Sequence, residues 1–273
     1  MDKRIAEIFL QNEIKLFGEA PYEKCDAANE RLHAELGGKY KTAYIFALPY
    51  RTSLVPEDGY VMSAYARVYD YHKKFVPLLE TLCAQMGERL PEYEFAGFAD
   101  HSPVNEKHAA LLAGLGVAGR NSLLITEKYG SYVFLGSVLS TMECETPPRR
   151  IGLCLNCGKC VSACPGGAIG ERGIDPSKCV SGINQKKRVT PEEEEIIARA
   201  GSVWGCDVCQ EVCPMNGGAL TTDDEYFTGG FIKNLSPAWL EELSDEEFAS
   251  YPFSWRKREV ILRNIALIDR RKS

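Results

Sequence analysis

The segment CLNCGKCVSACPGGAIG places Cys154, Cys157, Cys160 and Cys164 at C-x2-C-x2-C-x3-C-P spacing, with Pro165 closing the run. Four thiolates at that spacing hold a 4Fe-4S cluster, whereas a structural zinc site would show two-cysteine knuckles separated by a long gap. This stretch must therefore wrap short turns and helices around inorganic sulfur. A second stretch, SVWGCDVCQEVCP at 202–214, repeats the pattern with Cys206, Cys209 and Cys213 but carries Val203 where a fourth cysteine would stand.

In two-cluster proteins of the bacterial ferredoxin type, the last cysteine of each run ligates the other cluster. Cluster one is then Cys154, Cys157, Cys160 and Cys213. Cluster two has Cys164, Cys206 and Cys209 and needs one more soft ligand. Of the eleven cysteines, Cys25, Cys83, Cys144 and Cys179 remain, and only Cys179, in DPSKCVSGINQKK, lies within the cysteine-rich region. Position favours it; the other three are expected to be small buried hydrophobes. An odd cysteine count, with no apolar leader and no 18-residue hydrophobic run, predicts reduced thiols in a cytoplasmic protein that does not enter a membrane.

The 273 residues allow about two domains. Residues 1–148 alternate helical and strand-like patterns and read as an α/β (α+β) domain. Helical spacing spans DKRIAEIFLQNEIKLFG and YEKCDAANERLHAELGG; TAYIFALPY (42–50) and YEFAGFAD (93–100) read as strands flanking a long helix that contains Pro77. NSLLIT and SYVFLGSVLST suggest two strands around a tight turn. The proline pair at 147–148 marks a boundary. Residues 149–220 form a ferredoxin-like two-cluster domain, and 221–273 an acidic connector and a basic helix. The net charge of −6 gives no global nucleic-acid footprint, but residues 255–273 hold seven Lys/Arg against two acids, read as a solvated helix face or as a surface for phosphate.

Two motifs invite misreading. GLGVAG (114–119) matches G-x-G-x-x-G but lacks the strand before and the helix after that a dinucleotide site needs, so its glycines read as caps and turns. DYHKKF (70–75) begins like the D-x-H-x-x-G motif that gives cobalamin a histidine ligand, but Phe75 replaces the glycine, and His72 reads as a hydrogen-bonding or packing residue rather than a cobalt ligand.

Several stretches taken in order resemble the cobalamin-dependent epoxyqueuosine reductases: YARVYDYH (65–72), DHSPVNEKHAALLAGLGVAGRNSLLITEKYGSYVFLGSVLS (100–140), the eight cysteines, and CVSGINQKK (179–187). The resemblance covers roughly residues 40–216. It implies a cobalamin-binding α/β reductase domain followed by a ferredoxin-like double 4Fe-4S domain and a short helical C-terminus. It also implies base-off cobalamin without a protein ligand to cobalt, and Cys179 as the eighth cluster ligand. The family's acid falls on Asp100. His101, Ser102 and Lys107 depart from its D-T-G-P-V-x-E-R pattern, while Pro103, Val104 and Glu106 keep it. From the residues alone, the N-cap of the helix that follows is the better reading of Asp100.

The resemblance further makes Tyr65, His72, Arg120, Asn121, Ser122, Leu124, Leu135, Lys186 and Lys187 candidate cobalamin contacts, with the two lysines equally readable as solvent-exposed. Reducing an epoxide to an alkene takes two electrons and two protons, and side chains supply no electrons. The implied role of the clusters is to pass electrons singly to the cobalt from a low-potential donor of the ferredoxin or flavodoxin type. A general acid useful near neutrality needs a raised pKa, so Asp100 is expected in a dry pocket. Family members acting on whole tRNA continue into helical repeats, and REVILRNIALIDRRKS resembles only the first helix of one. Three readings follow: an epoxyqueuosine reductase of short form with tRNA as partner, a related reductase of a free nucleoside or halogenated compound, and a non-catalytic two-cluster electron carrier.

Overall fold

Alternate residues of the apolar run Thr42–Pro49 feed two different cores: Tyr44, Phe46 and Leu48 join one, Ala43, Ile45 and Ala47 the other. A strand has period two, so one buried on both faces reads as continuous apolar sequence. The computed structural model describes residues 1–171 and 173–272, which divide into two compact units. The first comprises Met1–Pro49, Tyr71–Gly119 and Leu123–Cys154; the second comprises Tyr50–Asp70, Arg120–Ser122 and the chain from Leu155 onward.

In the first unit the elements run α1 (Lys3–Gln11), β1 (Leu16–Pro21), α2 (Glu30–Gly37), β2 (Thr42–Pro49), α3 (Tyr71–Arg89), β3 (Phe95–Phe98), α4 (Glu106–Leu112), β4 (Val117–Ala118), β5 (Leu124–Ile125), β6 (Val133–Ser140) and β7 (Gly152–Leu153). The main sheet has the order β1-β2-β6-β3, every neighbouring pair antiparallel. β2 and β3 are thus parallel to each other across β6, a β-α-β unit split by a later strand. The face carrying Tyr44, Phe46 and Val138 packs with Ile5, Ile8 and Phe9 of α1 and Phe75, Leu79, Leu82 and Met86 of α3. The other face packs with Ala109, Ala110 and Leu112 of α4.

Three local expectations change. The first helix stops at Gln11, Glu13 takes a φ of 61°, and the chain reverses into β1. The long helix starts only at Tyr71, because the preceding stretch 50–70 belongs to the second unit. β5 and β6 flank a tight turn, bridged at Thr126 and Gly130, but do not form a hairpin: β5 pairs with β4, and β6 with β2 and β3. In GLGVAG, Gly114 has a φ of 79° just beyond α4, and a Cβ on Gly116 would lie 2.4 Å from the Ile125 carbonyl oxygen. Both glycines serve the turn between α4 and β4.

The second unit contains α5 (Lys159–Ala163), β8 (Ile169–Gly170), β9 (Gly173–Ile174), α6 (Val180–Asn184), α7 (Pro191–Ala200), α8 (Val208–Glu211), α9 (Glu225–Gly229), α10 (Pro237–Glu242), α11 (Asp245–Phe248) and α12 (Arg258–Lys272). Its core gathers Met62 and Ala66, Val203 and Trp204, Leu240 and Phe248, and Ile261, Ile265 and Ile268 of α12. This core draws in the 50–70 segment: Val61 bridges Ser202, Ser63 donates to Asp207 at 2.6 Å, and buried Arg67 donates to the Ile232 and Tyr60 carbonyls at 3.0 and 2.9 Å. The 221–273 segment packs into the same core, with α12 against α7.

Asn184, wholly buried, donates to the carbonyls of Ser202 and Gly205 at 3.1 and 2.9 Å and accepts from the Gly205 amide at 3.1 Å. Truncation would leave these buried backbone groups unpaired. Asn184→Ala is expected to lower stability by about 2–3 kcal/mol in urea unfolding and to loosen the 202–205 turn, read as faster amide exchange there.

Candidate functional site

Cys179 caps the N-terminus of α6, and Asn184 at the other end of that short helix binds the turn that runs into Cys206. Cys164 approaches through Gly166, where a Cβ would lie 1.9 Å from the Lys178 carbonyl oxygen; only a glycine lets the two backbones touch there. Helix α5, which bears Cys160, packs against α8, which bears Cys209. Burial pushes the Cys206 and Cys209 thiols up to about 11 and about 12, and their neighbours raise them further: Cys206 feels Cys179 and Cys164, and Cys209 feels Cys206 and Cys179. Cys164, Cys179, Cys206 and Cys209 thus lie in one unit, Cys206 within electrostatic reach of Cys164 and Cys179, and Cys209 of Cys206 and Cys179. Burial keeps the Cys206 and Cys209 thiols protonated, and a cationic iron core is the kind of partner that offsets this cost and takes them as thiolates.

Polar groups line this set. The Asn121 side chain hydrogen-bonds Cys209, and the Ala168 amide donates to Cys164 Sγ at 3.3 Å. Cys157, Cys160 and Cys213 belong to the same unit, Cys213 at the head of the turn Pro214–Asn216; Cys154 ends the first unit, its amide bonded to the Ala118 carbonyl at 3.0 Å. Val203, at the position of the absent cysteine, is wholly buried. Cys25, Cys83 and Cys144 lie in the first unit, Cys25 within its core, and burial raises all three.

The first unit holds a cavity of about 550 Å³ lined by Tyr71, Asp100, Glu106, Lys107, Phe134 and Leu135, among others. Asp100 has a φ of 62°, in the left-handed region. Its carboxylate accepts from His72 Nε2 at 3.0 Å and from the Tyr71 hydroxyl. The Tyr71 ring is fixed by stacking on Phe134, centroids 4.1 Å apart, and by an edge contact with Phe75. Asp100 is not a helix cap; Asn105 caps α4, its Oδ1 accepting from the His108 amide at 3.2 Å.

The expected raised pKa falls on a different residue. The His72 bond, then that of Tyr71, holds Asp100 below the usual carboxylate range against the opposing effect of burial. Burial pushes Glu106 up to about 8, with Asp100 adding to the rise. Two carboxyls share one cavity and their environments drive them apart, one ionised and one neutral at pH 7. Glu106 and Tyr71 carry no site role in the sequence reading, although both lie in the stretches that carry the resemblance; the available signal was a second carboxyl six residues after the first.

Of the other candidates, Leu135 lines the cavity and Leu124, 4% exposed, sits in the first unit's core. Tyr65, Arg120, Asn121, Ser122, Lys186 and Lys187 belong to the second unit. There the Tyr65 hydroxyl accepts from Trp204 Nε1 and Gln185 Nε2 at 3.1 and 3.2 Å, Arg120 donates to Asn156 at 3.2 Å, Lys186 is paired with Glu193, and Lys187 is exposed. Among the described residues no helix is long and apolar enough to cross a membrane.

Residues 153–216 match the family model of a 4Fe-4S double cluster binding domain. The chain is similar to the epoxyqueuosine reductase of Listeria monocytogenes serovar 1/2a, 32% identical over 262 residues that make up 88% of this chain and 66% of that protein. It is likewise similar to that of a Synechocystis species, 32% identical over 204 residues, 72% of this chain and 68% of the relative. A crystal structure of epoxyqueuosine reductase with an epoxyqueuosine-modified tRNA-Tyr stem loop superposes with a TM-score of 0.83 at 22% identity, covering 97% of this chain and 80% of that one. The chain spans about two fifths to two thirds of the length of the curated relatives it matches.

A carboxyl raised in the folded state from its ordinary 4.5 to about 8 keeps its proton over that window while the unfolded chain loses it. Stability is therefore lost as pH rises from about 4.5 to about 8. Glu106→Gln is expected to remove this slope: the melting-temperature gap between variant and wild type widens through the window and is constant above it.

Proposed function

Because the chain belongs to the epoxyqueuosine reductase family, we propose that it reduces the epoxide of epoxyqueuosine in tRNA to the alkene, using two 4Fe-4S clusters, base-off cobalamin and a low-potential electron donor. The observation that carries this reading is the conjunction of the gathered cluster-two cysteines with a cavity in which Asp100 is supplied by two hydrogen-bond donors.

Val133, Phe134 and Leu135 give the cavity an apolar wall next to Asp100, a surface chemically suited to a corrin face. His72 is engaged with Asp100, in keeping with cobalt free of a protein ligand. In the second unit, exposed Lys187 is the side chain best suited to the cofactor's phosphate. Cobalamin, when bound, supplies the low-potential electrons that no side chain can.

Asp100 orients on the departing oxygen and delivers a proton to it. His72, with Nε2 aimed at Asp100, holds that proton at rest, so the acid is the pair rather than either residue alone. Filling the cavity excludes water, strengthens the desolvation already acting on Asp100 and moves the proton from imidazole to carboxylate. Tyr71 donates to the same Asp100 Oδ2 that His72 meets and so fixes that oxygen's position. The Asn121 bond to Cys209 and the Ala168 bond to Cys164 stabilise thiolate charge around cluster two.

Protein reconstituted anaerobically with both cofactors and given a low-potential reductant is expected to form queuosine in tRNA carrying epoxyqueuosine; cofactor-loaded protein that forms none overturns the reading. Asp100→Asn should retain iron and corrin but lose about 10²–10⁴-fold in turnover. Cys179→Ala should lose roughly half of the bound iron, because one of two four-iron clusters loses a ligand; full iron content would remove Cys179 from the ligand set.

A further inference from the structure

Glu106 touches the Asp100 backbone. Its Oε2 accepts from the Asp100 amide at 3.3 Å, while its Oε1 lies 3.1 Å from the Ser137 hydroxyl of β6. Asp100 needs such a hold, since a non-glycine residue stays at positive φ only where its surroundings fix it there.

The hydroxyls around Ser137 can accommodate a neutral Glu106, with the Ser137–Glu106 bond reversed from Ser137 donating to Ser137 accepting. Ser137 Oγ lies within reach of three acceptors: Glu106 Oε1, the Phe98 carbonyl at 3.4 Å and Ser102 Oγ at 3.3 Å. A hydroxyl carries one proton. With Glu106 ionised, its oxygen and the Phe98 carbonyl compete for that proton. With Glu106 neutral, its own O–H donates to Ser137, and Ser137 donates to Phe98. Ser102, which accepts from the Val104 amide at 3.3 Å, can then donate to the second lone pair of Ser137. The carbonyl oxygen of the neutral acid remains for the Asp100 amide, and every group is satisfied.

We propose that Glu106 is the positioning residue of this site: as an uncharged acid it donates to Ser137, accepts from the Asp100 amide, and so pins Asp100 in the left-handed turn that presents its carboxylate to Tyr71 and His72. The inference rests on the reading of Asp100 as part of the site's acid. The titratable and charged groups around Glu106 are Asp100 on the turn, beside which His101 lies, His72 and Tyr71 of α3, and Lys107 on its own helix; β6 faces it with the Ser137 hydroxyl, which β3 meets through the Phe98 carbonyl. Ionisation removes the donor to Ser137 and sets a second negative charge against Asp100, loosening the turn at alkaline pH.

Glutamine copies the neutral acid, with a carbonyl for the Asp100 amide and an N–H for Ser137; alanine copies neither. In the full chain loaded with both cofactors, wild-type turnover is expected to fall on the alkaline side with an apparent pKa of about 8. Glu106→Ala should lose about 10²-fold at neutral pH, the cost of misplacing an acid by an ångström. Glu106→Gln should recover most of that loss and lack the alkaline limb. Independently of turnover, the infrared band of a protonated carboxylic acid should titrate away in the wild type through the same range and be missing from both variants. Wild-type turnover and pH profile in Glu106→Ala, a Glu106→Gln as impaired as Glu106→Ala, or a band that does not differ between wild type and Glu106→Gln would each overturn the proposal. Should Glu106→Ala not fold, the glutamine profile and the infrared band decide. A wild type that turns over no epoxyqueuosine tRNA while its carboxylic-acid band titrates as expected would overturn the functional reading and leave the hold on Asp100 standing.

Discussion

The buried amide of Asn184 holds together what the sequence keeps apart. Cys179 and Cys206 are separated by helix α7 and the turn after it, and a cluster shared between them requires the start of α6 and the end of that turn to keep one fixed relation. Asn184 provides it with three hydrogen bonds to the backbone of Ser202 and Gly205, made where water cannot compete. An amide so placed contributes modestly when satisfied and costs much when broken, which makes it specific for one arrangement. Val203 sits inside that same turn, its amide bonded to the Val61 carbonyl at 2.8 Å, and is needed as core. The position where a cysteine would be expected is thus occupied by packing.

The same logic of one group fixed by several partners governs the first unit. Asp100 lies on a turn with no regular structure to hold it, yet its side chain must meet two donors from α3. Tyr71 is immobilised by Phe134 and Phe75, His72 follows it at the head of the helix, and the Asp100 amide is taken up by Glu106. A strained backbone held from three directions is a preorganised one, and preorganisation is what an acid must have to act at a defined atom.

Much of this was legible in the sequence, and the parts that were not have physical causes. The strand at 42–49 and the double-cluster domain were readable because a doubly buried strand and a thiolate pattern each impose composition locally. The extent of the first helix was not, because the reversal at Glu13 rests on one left-handed residue with no glycine to announce it. The membership of 50–70 in the second unit was hidden since it depends on Ser63, Arg67 and Val61 meeting partners well over a hundred residues away. Asp100 was found only through resemblance, and its pKa was expected in the wrong direction: desolvation was foreseen, but the donors on α3 outweigh it. Glu106, more deeply buried, takes the shift instead.

The basic C-terminal helix shows how a charge count can mislead. Its arginines invited the choice between solvent and phosphate, yet three of the basic residues at or near its start turn to backbone carbonyls of their own unit. Arg263 donates to the carbonyls of Lys186, Lys187 and Asn184, Arg256 to that of Gln185, and Arg258 to those of Leu240, Leu243 and Ser244. The first two gather the unsatisfied carbonyls at the C-terminal end of α6, where a cation is favoured by the helix dipole and by the lone pairs that lack amide partners. Asn264 adds bonds to the carbonyls of Asn184 and Val203 at 2.7 and 2.8 Å. The helix therefore closes the far side of the Asn184 junction. Arg256, Arg263 and Asn264 thereby fix the end of α6, and with it the place of Cys179 at its beginning.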